Sequence, residues 1–209
     1  MWKNNNYESF DHFLDFFSSR NRKNLKKERR KIADQDLEIK RFTGNQISLD
    51  VVDDFYSFYV DTHLRRSGHS GYLNKDFFEE ITQTIADNIL IILAYKNGRA
   101  VAGSFFFYDQ NNLYGRYWGA SNDFDALHFE CCYYQGIDFC IEKNIKRFDP
   151  GVQGEHKIKR GFEPTFTFSS HWIENHDFSL AISDFLLRED KYIKDYHQDA
   201  STLLPFKNI

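Results

Sequence analysis

The sequence predicts an α/β (α+β) fold: a mixed, mostly antiparallel sheet with one pair of parallel strands, flanked by helices. Three observations carry that expectation. Residues 89–119 read as three strands joined by hairpin turns, an amphipathic helix follows over 126–143, and a strand-like run returns at 146–150. A helix leading from one strand to another of the same sheet makes a right-handed crossover and leaves the two strands parallel.

Near the N-terminus Phe10, Phe13, Leu14 and Phe17 recur at spacings of three and four, the period of a short helix with one apolar face. The next segment, RNRKNLKKERRK, places eight basic residues and one acid between Arg20 and Lys31, with Leu25 and Ile32 as its apolar stripe. Such a face is either simply solvated or an anion-binding arm. LEIKRFTG alternates and reads as a strand ending at Gly44. LDVVDDFYSFYVDTHLRR and NKDFFEEITQTIAD are helical, with Asp50 and Asn74 as expected N-caps, and SGHSGY between them is a Gly/Ser loop.

The strand signal is clearest over 89–119. Asn97 and Gly98 both tolerate positive φ and turn the first hairpin, and DQNN at 109–112 turns the second. The first strand, NILIILAY, has so little polar alternation that burial on both faces is expected. The helix over 126–143 has apolar or aromatic residues at 129, 133, 137, 140 and 141, with Asp123 or Asp125 available as its cap. After 146–150, TFTFSSHWI reads as another strand and FSLAISDFLLREDKYIKDY as a closing amphipathic helix. No linker or repeat interrupts the pattern, so 1–209 is expected to be one domain, with 1–35 a basic helical segment and 36–209 the sheet and its flanking helices.

A chain of 209 residues with 41% hydrophobic residues can fill a real core. A net charge of −4 argues against global attraction to nucleic acid while leaving room for local basic patches. The 18% aromatic content is accounted for by an A+T-rich genome and says little about function. Cys131, Cys132 and Cys140 lie within ten residues of one another and show no C-x-x-C spacing, so they read as reduced core thiols and no metal site is expected. No stretch approaches the roughly 20 apolar residues of a membrane span, and a cytoplasmic protein is expected.

One segment asks for a function. RFDPGVQGEHKIKRGFEP, residues 147–164, combines three glycines with two glutamates, a histidine and several cations. Residues of these types can supply a general base, donors for a developing negative charge, and groups that hold phosphates. Glu155 or His156 can act as the base, directly or through water. Gly151 and Gly154, with Gln153 between them, let backbone N–H groups approach an anion, while Lys157, Lys159 and Arg160 can clamp a phosphate. The plain alternative is a structural turn with Glu155 paired to Arg160 or Lys159. Arg116 and Trp118 fall on one face of the third strand by alternation, with Tyr117 on the other, which suits an adenine, a sugar or a peptide stem. His128 and Glu130 open the following helix; a carboxylate there is also favoured by the helix dipole alone.

The order of elements matches the acetyltransferase fold abbreviated GNAT, in which two central parallel strands splay apart to admit an acyl donor. LYGRYWGA, LHFECCYYQGIDFCIEKNIKRFDPGVQGEHKIKRGFEP and SSHWI, together with SSRNRKNLKKERRK, resemble a bacterial family of N-acyltransferases associated with peptidoglycan biosynthesis/recognition and related to the Fem-type aminoacyltransferases. The resemblance runs over nearly the whole chain. It implies a GNAT-like domain, the C-terminal one of a tandem pair, whose partner is either a missing N-terminal domain or a second copy. It implies transfer of an acyl or aminoacyl group to an amine, with a peptidoglycan precursor as acceptor. The donor would be acyl-CoA or aminoacyl-tRNA, with no tightly bound cofactor, and residues 20–31 would contact tRNA. On this reading Glu155, His156 and Glu130 are the candidate catalytic groups, and Arg116, Trp118, His128, Gly151, Gln153, Gly154, Lys157, Lys159 and Arg160 bind donor or substrate. The alternative is a non-catalytic recognition domain that binds a cell-wall peptide or RNA.

Overall fold

A computed structural model of the chain describes residues 1–152 and 154–207. They belong to two compact units, a larger one comprising Trp2–Val152 and a smaller one comprising Met1 and the chain from 154 onward.

The larger unit carries the sheet. Its elements in chain order are β1 (Trp2–Lys3), α1 (Phe10–Asp15), α2 (Ser19–Asp34), β2 (Leu37–Thr43), α3 (Leu49–Ser67), α4 (Lys75–Thr84), β3 (Ile89–Lys96), β4 (Arg99–Tyr108), β5 (Asn112–Ala120), α5 (Leu127–Phe129), α6 (Gln135–Glu142) and β6 (Arg147–Asp149). A π-helical turn, Glu130–Tyr134, joins α5 to α6. The six strands are ordered β1-β6-β5-β4-β3-β2. All neighbours are antiparallel except β5 and β6, which run parallel as the crossover through α5 and α6 requires.

Buried phenylalanines explain why the helices lie where they do. Phe55 and Phe58 of α3 and Phe78 of α4 join Ile89, Ile91, Leu93 and Phe105 in one apolar cluster. Each fully buried side chain of this size contributes about 1.5–3 kcal/mol. As its unbroken apolar run foretold, β3 is buried from Ile89 to Ala94. α6 also meets the sheet closely: a Cβ on Gly136 would lie 2.6 Å from the Phe148 ring and 3.2 Å from Leu113.

Helix starts follow side-chain chemistry. Asn74 caps α4 by accepting from Phe77 N at 3.0 Å, as expected. Ser48, not Asp50, caps α3, and Asp50 sits in the first turn, where a negative charge meets the helix dipole favourably. Neither Asp123 nor Asp125 caps α5. Its N-cap is Ala126 with φ +64°, and Asp125 is held by Lys31 at 2.6 Å.

The smaller unit contains a 3₁₀ turn, Glu155–Arg160, and the long helix α7 (His176–Thr202), whose cap Asn175 accepts from Phe178 N at 2.8 Å. The strand expected over TFTFSSHWI does not form. Phe168 and Trp172 are exposed there, and an extended segment becomes a strand only by pairing with another. Among the described residues no helix is long and apolar enough to cross a membrane.

Candidate functional site

The pairing of β5 with β6 is short. Their parallel register covers Asn112↔Arg147, Leu113↔Phe148 and Tyr114↔Asp149 and stops there, while β5 continues to Ala120 paired only with β4. Three local causes end the pairing. Pro150 follows β6 and brings no N–H to a ladder. Asp149 Oδ1 accepts from Gly151 N at 2.9 Å, turning the chain at a φ of +82° that glycine adopts without strain. On the other strand Phe106 pairs with Gly115 and Phe105 with Tyr117, so Arg116 is the extra residue of a β-bulge.

The bulge corrects the expectation that strict alternation sorts Arg116 and Trp118 onto one face. The Arg116 guanidinium lies 5.8 Å from the Tyr117 ring centroid, whereas Trp118 stands edge-on to His128 at 5.4 Å. His128 also meets Tyr133 edge-on at 5.4 Å. The far end of β5 is fixed against α3: a Cβ on Gly119 would fall 2.2 Å from the Phe58 carbonyl oxygen, and Arg65 donates to the carbonyls of Ala120 and Ser121.

Glu130 is buried in the π-helical turn. Its Oε1 accepts from Arg29 Nη2 at 3.0 Å and from Gln135 Nε2 at 2.7 Å, and Oε2 is buried with no hydrogen-bond partner among the described residues. Burial pushes its carboxyl pKa up, with Arg29 and Gln135 pulling the other way. The same Arg29 nitrogen reaches Asp138 Oδ2 at 2.8 Å. Cys131 and Cys140 nearby are buried thiols whose pKa burial raises, so both stay protonated.

Within the smaller unit, Glu155, His156, Lys157, Lys159 and Arg160 share the 3₁₀ turn, bounded by Gly154 at φ +103° and Gly161 at φ +87°. The φ of +103° at Gly154 favours glycine, and a Cβ there would also lie 2.3 Å from His156 Cε1 unless the ring swung aside. Glu155 Oε1 accepts from the Tyr196 hydroxyl at 2.9 Å, and Arg160 donates to His156 O at 2.8 Å. Lys157 and Arg160 are buried, while Lys159 is exposed. The His156 pKa is lowered, first by burial and then by the Arg160 and Lys157 charges. Gln153 lies outside the described residues.

The family model described as FemAB-like, peptidoglycan biosynthesis/recognition, matches residues 1–208. The chain belongs to the FemAB-like family. A comparison with curated proteins returned no match. Among solved structures, a possible acetyltransferase from Clostridium difficile 630 superposes with a TM-score of 0.50 at 12% identity, covering 66% of this chain and 99% of that one. L-PGS from Bacillus licheniformis gives 0.49 at 16% identity, with 66% of this chain and 44% of that one covered. A conserved protein of unknown function from Bacteroides thetaiotaomicron gives 0.47 at 17%, covering 71% and 52%. The fold is the mixed α/β fold of GNAT acetyltransferases.

Several residues that shape this FemAB-like chain's candidate site are not among those expected from sequence. Asp149 had a signal, since Asp-Pro-Gly announces a turn closed by its own carboxylate. Arg65 and Arg29 had none, because each acts on a group far away in sequence.

Proposed function

We propose that this FemAB-like chain is an N-acyltransferase or aminoacyltransferase, with 1–209 acting as one GNAT-like domain. The observation that carries the reading is that the parallel pairing of β5 with β6 stops at Tyr114↔Asp149 while β5 runs on to Ala120, with the bulged Arg116 just beyond the last pair. Past that point β5 has no strand partner on its β6 side among the described residues, and its backbone groups there can hold an extended acyl donor by hydrogen bonds. Family membership supports an amine acceptor related to peptidoglycan precursors. The donor is acyl-CoA or aminoacyl-tRNA, neither bound as a resident cofactor, in a cytoplasmic reaction.

In this reading the acceptor nitrogen attacks the donor's thioester or ester carbonyl, the new C–N bond forms, and the thiolate or alkoxide leaves from a tetrahedral intermediate. Glu155 or His156 takes the amine proton, and the leaving group is then protonated. Lys157, Lys159 and Arg160, with backbone N–H groups of the turn that Gly154 opens, hold donor phosphates. Arg116, Trp118 and His128 contact donor or acceptor. Glu130, internal and paired with Arg29, positions the helix that carries His128. Protonated buried thiols at Cys131 and Cys140 accord with direct transfer without a cysteine adduct.

Calorimetry with acetyl-CoA, charged tRNA and a UDP-linked muramyl peptide tests the reading alongside a turnover assay. Binding of one donor and one acceptor, with turnover lost in Glu155→Gln or His156→Ala at an unchanged thermal midpoint, is the expected result. Acceptor binding with no donor binding would replace the enzyme by a recognition module. Full activity in both variants would remove this base assignment.

A further inference from the structure

We propose that α7 pairs antiparallel with the α7 of a second copy of the chain, about a two-fold axis between Asp190 and Lys191. The helix leaves a long apolar seam unpartnered. Phe178, Ile182, Phe185, Glu189, Tyr192 and Tyr196 follow one another at alternating spacings of four and three, the a/d repeat of a coiled coil, with Leu203 one further heptad along and Leu186 and Ile193 flanking. Yet Phe178 is 59%, Phe185 53% and Tyr192 67% exposed. Aromatic side chains of this kind cover about 150–250 Å² each, so the seam offers roughly 600–700 Å² per copy. Two copies then bury about 1,300 Å², within the roughly 1,200–2,000 Å² of stable interfaces.

Self-complementarity selects the occupant. With the helices antiparallel and Phe178 opposite Leu203 of the second copy, helical geometry brings Phe185 opposite Tyr196, Leu186 against Ile193 and Arg188 against Asp195, each pair occurring twice. Glu189, the charge nearest the middle of the seam, falls opposite Tyr192, whose hydroxyl can donate to it. Tyr196 keeps its hydroxyl on Glu155 and offers its ring. The weakest layer sets Ile182 against Asp199, toward the wet ends. Competing alignments meet like charges: a slip of one heptad puts Arg188 on Arg188 or Asp195 on Asp195, and a parallel pair buries Glu189 against Glu189. Arg188 is available for the contact, because its 3.1 Å pair with Asp184 is exposed and worth little.

Sedimentation equilibrium of the full chain over roughly micromolar concentrations, with far-UV circular dichroism as a fold control, tests the pairing. A dimer is expected for the native chain. Phe185→Asp should abolish it at unchanged helicity. Arg188→Asp and Asp195→Arg should each weaken it about tenfold, and the double variant Arg188→Asp/Asp195→Arg should restore it. A monomer at every concentration, a dimer indifferent to Phe185→Asp, or a double reversal as weak as the single ones would each overturn the proposal.

Discussion

Arg29 Nη2 stands 3.0 Å from Glu130 Oε1, tying the basic helix α2 to the π-helical turn 101 residues further along the chain. The same nitrogen holds Asp138, and the guanidinium lies 4.5 Å from the Phe10 ring centroid. One cation therefore compensates two largely buried carboxylates. Removing it leaves both without their partner, which is far costlier than losing a surface pair. Arg29→Ala is expected to lower unfolding stability by about 3 kcal/mol, the modest end of the range for a broken buried pair, because the Arg29 side chain is 28% exposed. Urea denaturation measures it, and a loss within the scatter of surface variants would show that α2 is held by apolar contacts alone.

The same cluster sets a pH dependence. Burial raises the carboxyl pKa values of Glu130 and Asp138 above their unfolded values. A carboxyl group so shifted binds more protons folded than unfolded, so its contribution is fully present below the unfolded pKa and falls as pH rises through the folded one. Glu130→Gln stays neutral throughout. The native chain should thus lose stability relative to Glu130→Gln as pH climbs from about 4, the ordinary glutamate value. Urea midpoints of both proteins across that range decide the matter, and a native chain that gains stability relative to Glu130→Gln as pH rises would contradict it.

Gly119 is the tightest joint between β5 and α3. An alanine methyl would meet the Phe58 carbonyl oxygen at 2.2 Å and its carbon at 2.5 Å, backbone atoms that cannot swing aside. Gly119→Ala should destabilise the chain by about 2–3 kcal/mol through overpacking and displace the end of the strand that carries Arg116 and Trp118. Thermal unfolding reads the first effect and donor affinity the second. A wild-type midpoint would mean that α3 and β5 part easily.

How legible this was from sequence depends on how local each cause is. The hairpins at Asn97-Gly98 and 109–112, the unbroken apolar run of β3 and the crossover before β6 rest on neighbouring residues, and they read correctly. β1 escaped because two residues, Trp2 and Lys3, cannot show a period. The strand over TFTFSSHWI was suggested by alternation, but alternation records what a segment can do and not whether a partner strand exists. At the site, the cationic turn 155–160 was visible as composition, whereas the bulge at Arg116 depends on how β4 and β5 meet. The π-helical turn and the Arg29 clamp likewise arise only when distant segments pack.

His156 offers a kinetic reading of the proposed base. Burial, reinforced by Arg160 and Lys157, lowers its pKa below the ordinary value of about 6.5. A base must be unprotonated, so the acid limb of kcat/KM should fall below that pH and leave the rate flat through neutrality. In His156→Ala the limb should vanish together with most of the activity. If the limb persists there and disappears in Glu155→Gln, the carboxylate held by Tyr196 is the base instead.

The basic helix, finally, divides into two sets of cations. Arg22, Lys26, Arg29 and Lys31 pair with Asp15, Asp11, Glu130 with Asp138, and Asp125. Arg20, Lys23, Lys27 and Arg30 are exposed, have no ion pair among the described residues, and recur at i, i+3, i+7 and i+10, which aligns them along one face of α2. Ten residues of helix span about 15 Å, enough to follow several phosphates of a nucleic-acid strand. If this stripe contacts tRNA as proposed, four neutralised phosphates give a slope of log K against log salt of about −3. Lys23→Glu/Lys27→Glu should cut that slope by about half and weaken binding without altering the thermal midpoint, since neither side chain holds the fold together. Fluorescence anisotropy with tRNA at several salt concentrations measures both quantities, and a slope near zero for the native chain would leave the stripe as a solvated face with no nucleic-acid role.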